Sequence, residues 1–198
     1  MSTLSCRGKF ITIDGPNGVG KTTLVDIICQ RLKALSQNVL QTREPTKNFN
    51  RANEEKHREA LARLIVEDRR HHLSDEVDPA LNKGLIVISD RYIESSLVYR
   101  KLDGISFGET WRDNAMFLVP HMSILLVAPA IILQERLGSK KTLTRFEREH
   151  ASAEELALYH EAHSFLSDRC FETVCVENDT ASKEDVAEHI IKLILQIV

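Results

Sequence analysis

The sequence predicts an α/β fold: a central parallel sheet of about five strands with helices on both faces. Three observations point to it. Apolar runs at 9–14, 38–43, 85–89, 122–128 and 171–176 alternate with longer amphipathic stretches, and strands that alternate with helices build parallel sheets covered on both sides. The runs at 85–89 and 122–128 are almost continuously apolar, as expected of central strands buried on both faces. The first run ends in a glycine-rich loop that opens directly onto a helical pattern.

Composition bounds the rest. The 198 residues suffice for one core, and the chain reads as one domain spanning 1–198. With 42% hydrophobic and 28% charged residues, neither disorder nor a membrane protein is indicated. A formal charge of -3 and a pI near 6.2 argue against a nucleic-acid binder working by bulk charge. Residues 1–8 lack the apolar core of a leader, and no stretch approaches the ~20 apolar residues of a membrane span. Cys6, Cys29, Cys170 and Cys175 have no C-x-x-C spacing and read as reduced structural thiols, which suits a cytoplasmic protein.

The strand at 9–14 leads into Gly15-x-x-x-x-Gly20-Lys21-Thr22, and Leu24, Val25, Ile27, Ile28 and Leu32 then mark a helix. This is the strand–loop–helix context that a Walker A match requires. Gly15, Gly18 and Gly20 let the backbone wrap an anion, and its amides and the helix's positive end face the phosphates. Lys21 places a charge on the β- and γ-phosphates, and the Thr22 hydroxyl is a ligand for Mg²⁺. ATP-binding positions are therefore Gly15, Asn17, Gly18, Val19, Gly20, Lys21, Thr22 and Thr23, with Arg136 from a later helix.

The second strand ends at Arg43, before Glu44 and Pro45; proline keeps the preceding residue extended, so this tripeptide lies at a carboxyl edge, where open sheets bind ligands. A long helix is expected over 53–73, ending in Glu67-Asp68-Arg69-Arg70-His71-His72. One of the two arginines would enter the cleft; adjacent histidines on a helix face different ways, which argues against a shared metal. The strand at 85–89 delivers Asp90, a Walker B-like acid for Mg²⁺, and Arg91, a candidate phosphate clamp, followed by a helix with Ser96 and Tyr99. A helix is expected around 110–117. After the strand at 122–128, a helix at 131–137 carries Arg136. The basic stretch at 137–150, with Lys140, Lys141, Arg145 and Arg148, suits a mobile lid over phosphates rather than a core. Helices at 151–168 and 182–197 flank the last strand.

With these pieces placed, the chain resembles the thymidylate kinases, a branch of the P-loop nucleoside monophosphate kinases. The likeness lies in the glycine loop, Thr42 to Pro45, Asp68-Arg69, Asp90-Arg91-Tyr92 with Ser95, Ser96 and Tyr99, and Arg145-Phe146-Glu147. It implies a P-loop kinase fold in which Arg43 and Arg91 grip the acceptor monophosphate and Arg69 reaches the base. It also places Ser96 near the base and Tyr99 by the sugar, with Glu44, Pro45 and Asn17 lining the acceptor site. Gly18 carries no side chain, so the resemblance implies a catalytic arginine supplied by the lid, Arg145 first. It further implies a homodimer packed through helices.

Three features depart from the family pattern: Asn17 and Thr144 stand where aspartates are usual, and Thr46-Lys47 replaces a glycine pair. The expected reaction is transfer of the γ-phosphoryl of Mg·ATP to dTMP or a related, modified nucleotide, with Lys21, Asp90, Arg91 and Arg145 as the catalytic set. Two alternatives stay open. A nucleoside kinase would use Glu44 as general base toward a sugar hydroxyl. A P-loop ATPase would act as a switch, although Asn82-Lys83-Gly84-Leu85 lacks the aspartate of the GTPase N-K-x-D motif.

Overall fold

The structure, a computed structural model, describes residues 7–179 and 181–198. Cys6, read as a reduced thiol, and the rest of residues 1–6, read as lacking the apolar core of a leader, lie outside the described residues. Cys29, Cys170 and Cys175 are free thiols.

Five strands form one sheet: β1 (Lys9–Asp14), β2 (Val39–Arg43), β3 (Ile86–Asp90), β4 (Met122–Val127) and β5 (Thr173–Glu177). All pairings are parallel, in the order β2-β3-β1-β4-β5. The register sets Arg43 beside Asp90 and Asp90 beside Ile13. The carboxyl ends that carry the predicted chemistry thus share one edge.

The period of two in β1 divides the core. Ile11 and Ile13 face one side and pack with α1 (Lys21–Ala34), through Leu24, Val25, Ile28 and Leu32, and with the C-terminal helix. Phe10 faces the other side, toward residues from the middle of the chain.

The helix expected over 53–73 is divided. A 3-10 turn covers Arg51–Glu55, α2 runs Arg58–His72, a π-helical turn covers Leu73–Val77, and α3 covers Asp78–Asn82. The Asn50 side chain accepts from Ala52 N and starts the turn separately; Lys56 and His57 are extended, and Asp103 binds the Arg58 amide at 2.9 Å. Next come α4 (Ile93–Leu102) and α5 (Phe107–Asn114). The latter starts three residues before the expected helix at 110–117, because Ser106 and Glu109 form a reciprocal capping box. The remaining helices are α6 (Ala130–Gly138), α7 (Arg145–Glu149), α8 (Ser152–Ser167) and α9 (Lys183–Leu195). Helices α1 and α9 cover one face of the sheet, and α3, α4 and α8 pack on the other. No described helix is long and apolar enough to cross a membrane.

Candidate active site

A cleft of about 510 Å³ opens at the carboxyl edge of the sheet, within the range of small-molecule sites. The glycine loop forms one wall. Gly20 takes a left-handed backbone (φ 96) immediately before α1, whose first turn has neither a side-chain cap nor an acid. Its amides are therefore left for an anion. Gly18 is also left-handed, and a Cβ there would lie 2.9 Å from the Leu133 carbonyl oxygen of α6. That packing accounts for the absence of a side chain in the loop. The Lys21 ammonium donates to the carbonyls of Gly15 (2.7 Å) and Pro16 (2.9 Å). Burial, with the nearby Arg91 charge, lowers its pKa to about 7.

Thr22 and Thr23 line the cleft, whereas the Val19 side chain is buried in the core and only its main chain belongs to the loop. Arg136 lines the cleft and donates to Asn178 O (3.1 Å) and Val19 O (3.4 Å), tying the loop to the segment after β5.

Thr22 Oγ1 donates to Asp90 Oδ2 at 2.6 Å, while the buried Asp90 Oδ1 has no hydrogen-bond partner among the described residues. A hydroxyl beside a carboxylate with an unmatched oxygen is a donor set that fits Mg²⁺, which takes oxygen ligands and retains waters.

The opposite wall is organised by α2. Asp68 binds the Thr46 amide (2.8 Å) and hydroxyl (2.6 Å). Arg69 donates to Glu44 Oε2 from Nε (2.9 Å) and Nη2 (2.6 Å), and to Ser96 Oγ (2.9 Å) and Asn114 Oδ1. Two consecutive residues of one helix thus clamp the Glu44-Pro45-Thr46 loop. Thr46, which departs from the family's glycine pair, supplies two of the clamp's bonds. Arg69, not the exposed Arg70, faces the cleft. His72 is buried between Thr42 Oγ1 (2.7 Å) and Glu44 Oε1 (3.0 Å). Arg69 and the His72 contact hold the Glu44 carboxyl below its ordinary range despite burial. A carboxylate with both oxygens engaged and a lowered pKa is a poor general base, so the geometry disfavours a nucleoside kinase.

Arg43 is exposed and lines the cleft with Pro45. Arg91 follows Asp90 in a left-handed conformation (φ 77), fixed by Arg91 N to Ile13 O (3.0 Å) and by Ser89 Oγ to Arg91 O (2.8 Å). Its guanidinium crosses to the glycine loop, donating to Asn17 Oδ1 (2.8 Å), Tyr99 OH (2.8 Å) and Tyr159 OH (3.1 Å). Behind it, Asp14 Oδ1 accepts from the amides of Tyr92 (3.1 Å) and Ser95 (3.0 Å), fixing the start of α4. Burial raises the Asp14 pKa.

The basic segment differs from a flap of free cations. Lys141 and Arg148 are exposed, and Lys140 pairs with Glu147 (2.7 Å). Arg145, expected on the mobile lid, is 1% exposed. It meets both oxygens of Asp103 (2.7 and 3.0 Å), His57 Nδ1 (3.0 Å) and Glu149 (3.2 Å), with its guanidinium 4.0 Å from the centre of the Phe146 ring. Charge-paired and stacked, it ties α7 to the end of α4, while Phe146 packs on Tyr99 with ring centres 4.6 Å apart. In this arrangement Arg145 is not a free cation facing phosphate. Thr144 caps α7 in a capping box with Glu147, so its hydroxyl provides the N-cap of that helix.

Asp14, Asp103, Asn114, Glu155 and Tyr159 escaped the sequence reading. Their partners lie 42 to 138 residues away, and no local pattern signals such pairs. Asp14 alone has a usable signal, an acid immediately before the glycine loop.

A sequence model described as thymidylate kinase matches residues 13–190. Among similar proteins, the thymidylate kinase of Leifsonia xyli subsp. xyli is 35% identical over 181 residues, covering 80% of this chain and 85% of its own. That of Janthinobacterium sp. strain Marseille is 33% identical over 155 residues, covering 73% and 76%. The probable thymidylate kinase of Pyrococcus abyssi is 30% identical over 201 aligned positions, covering 95% and 96%.

Proposed function

The chain belongs to the thymidylate kinase family, and from that membership we propose that it transfers the γ-phosphoryl of ATP to dTMP, giving ADP and dTDP. The observation that supports this best is that Arg43 and Arg91 line the same cleft as Lys21 and the glycine loop. Two anion-binding walls face one space. A cleft built for ATP hydrolysis alone needs only one.

Phosphoryl transfer needs positioning and charge neutralisation more than covalent help. Lys21 and the loop amides hold the donor phosphates, with Arg136 beside the loop. Thr22 and Asp90 would hold Mg²⁺, which when bound would neutralise charge on the donor oxygens. Arg43 and Arg91 hold the acceptor phosphate, and guanidinium forks suit its geometry. Arg69, with Ser96 and Asn114, faces the base; Tyr99 flanks the sugar. Arg145 reaches the migrating phosphoryl only on leaving Asp103, so in the arrangement seen its work is to hold the lid segment.

We also infer that residues 1–198 form one kinase domain with a lid at 137–150, that two copies pair through helices, and that the enzyme is cytoplasmic. Replacing Lys21 or Arg91 by alanine removes a contact worth a few kcal/mol in the transition state and is expected to lower turnover of dTMP by at least ~10²-fold. Steady-state kinetics that find either variant near wild type would refute these roles.

A further inference from the structure

Glu155 lies on α8, is 6% exposed, and is not part of the glycine loop or of either arginine clamp. Yet its Oε1 accepts three hydrogen bonds from the cleft: from the Asn17 amide (3.1 Å), Asn17 Nδ2 (3.2 Å) and Tyr99 OH (3.0 Å). Asn17 Oδ1 and Tyr99 OH in turn accept from Arg91 (both 2.8 Å). The four side chains close a ring, and one carboxylate sets its direction. Because Glu155 takes the Asn17 NH₂ group, the Asn17 carbonyl must face Arg91. Because it takes the single Tyr99 hydroxyl proton, the lone pairs of that oxygen must face Arg91 too. The same carboxylate supplies negative charge near Lys21 and Arg91, the two cations sunk into this end of the cleft.

We propose that Glu155 is a positioning residue for acceptor binding: acting through Asn17 and Tyr99, it aims the Arg91 guanidinium and supplies the carboxylate that position 17 lacks. The proposal rests on the reading that Arg91 holds an acceptor phosphate. Glu155→Gln keeps the shape of the side chain, removes its charge and offers Nε2 hydrogens where only lone pairs were present. Charge-assisted hydrogen bonds of this kind support roughly ten- to hundredfold effects.

Asn17→Asp makes the reciprocal change, setting two carboxylates against each other. The double variant Asn17→Asp with Glu155→Gln restores one charge and one amide across the same contact. In assays of ADP formation with ATP and dTMP, each single variant is expected to raise the KM for dTMP about tenfold or more, with a smaller change in the KM for ATP. The double variant is expected to recover to within about threefold of wild type. A merely structural role for Glu155 gives no such recovery.

Active wild-type enzyme with an unchanged dTMP KM in Glu155→Gln would overturn the proposal alone. So would a double variant as impaired as the product of the singles. Wild-type enzyme unable to phosphorylate dTMP would overturn the proposed function and this inference with it. The double variant keeps the test decisive even where one single variant fails to fold.

Discussion

Lys21 is buried between two main-chain carbonyls with a pKa lowered to about 7. A triphosphate in the loop favours its charged form, so ATP binding above neutral pH draws a proton onto the lysine. The sign follows from linkage: the nucleotide-free enzyme holds fewer protons than the unfolded chain between about pH 7 and the ordinary lysine value of 10.5. Over that window its stability rises with pH, while its ATP affinity falls by up to about tenfold per pH unit. Calorimetry at pH 8 in two buffers of different ionisation enthalpy should show uptake approaching one proton per ATP in the wild type and none in Lys21→Met. Equal uptake in both would remove Lys21 as the source. Lys21, Thr22, Asp90 and Arg91 are legible in the sequence because loop chemistry and strand ends fix their places. Glu155 and Asp103 are not, because buried carboxylates are chosen by cations met only in three dimensions.

At the scale of elements, α2 and α7 are latches. Helix α2 holds the end of β2 through Asp68 and Arg69. Its apolar spacing marks it as a helix in sequence, but the break at Lys56-His57 depends on Asp103, in a loop 45 residues beyond Arg58. The basic segment reads as a flap because charge density is all that sequence displays there; the carboxylates that draw Arg145 inward are invisible. Two capping boxes, Ser106 to Glu109 and Thr144 to Glu147, give the starts of α5 and α7, and both went unread in the sequence, which placed the first of these helices at 110–117 and only a basic flap at the second. Losing one member of a buried ion pair leaves the other unmatched, at a cost of about 3–5 kcal/mol. Arg145→Ala and Asp103→Asn are therefore expected to lower the unfolding midpoint alike, and their combination to cost less than the sum of the two. Thermal unfolding and turnover of all three variants check this. A fall in kcat of ~10²-fold confined to Arg145→Ala, with Asp103→Asn unaffected, would show that Arg145 leaves its partner to act on the phosphoryl group.

Across the whole molecule, the sheet order β2-β3-β1-β4-β5 sets the glycine loop after β1 beside the ends of β3 and β2. The proposed donor and acceptor walls follow from that adjacency, which the alternation of strands and helices implied but could not locate. On the proposed reading the same arrangement calls for an acceptor that arrives already phosphorylated: Arg43 and Arg91 would offer charge to an anion, whereas Glu44, the carboxylate considered for activating a hydroxyl, is held by Arg69 and His72. The most direct measurement is ADP release by the wild-type enzyme with Mg·ATP and either dTMP, thymidine or no acceptor. Rapid turnover with dTMP and only background rates in the other two is the expected result; turnover with thymidine exceeding that with dTMP, or equal ATP cleavage in all three, would contradict it.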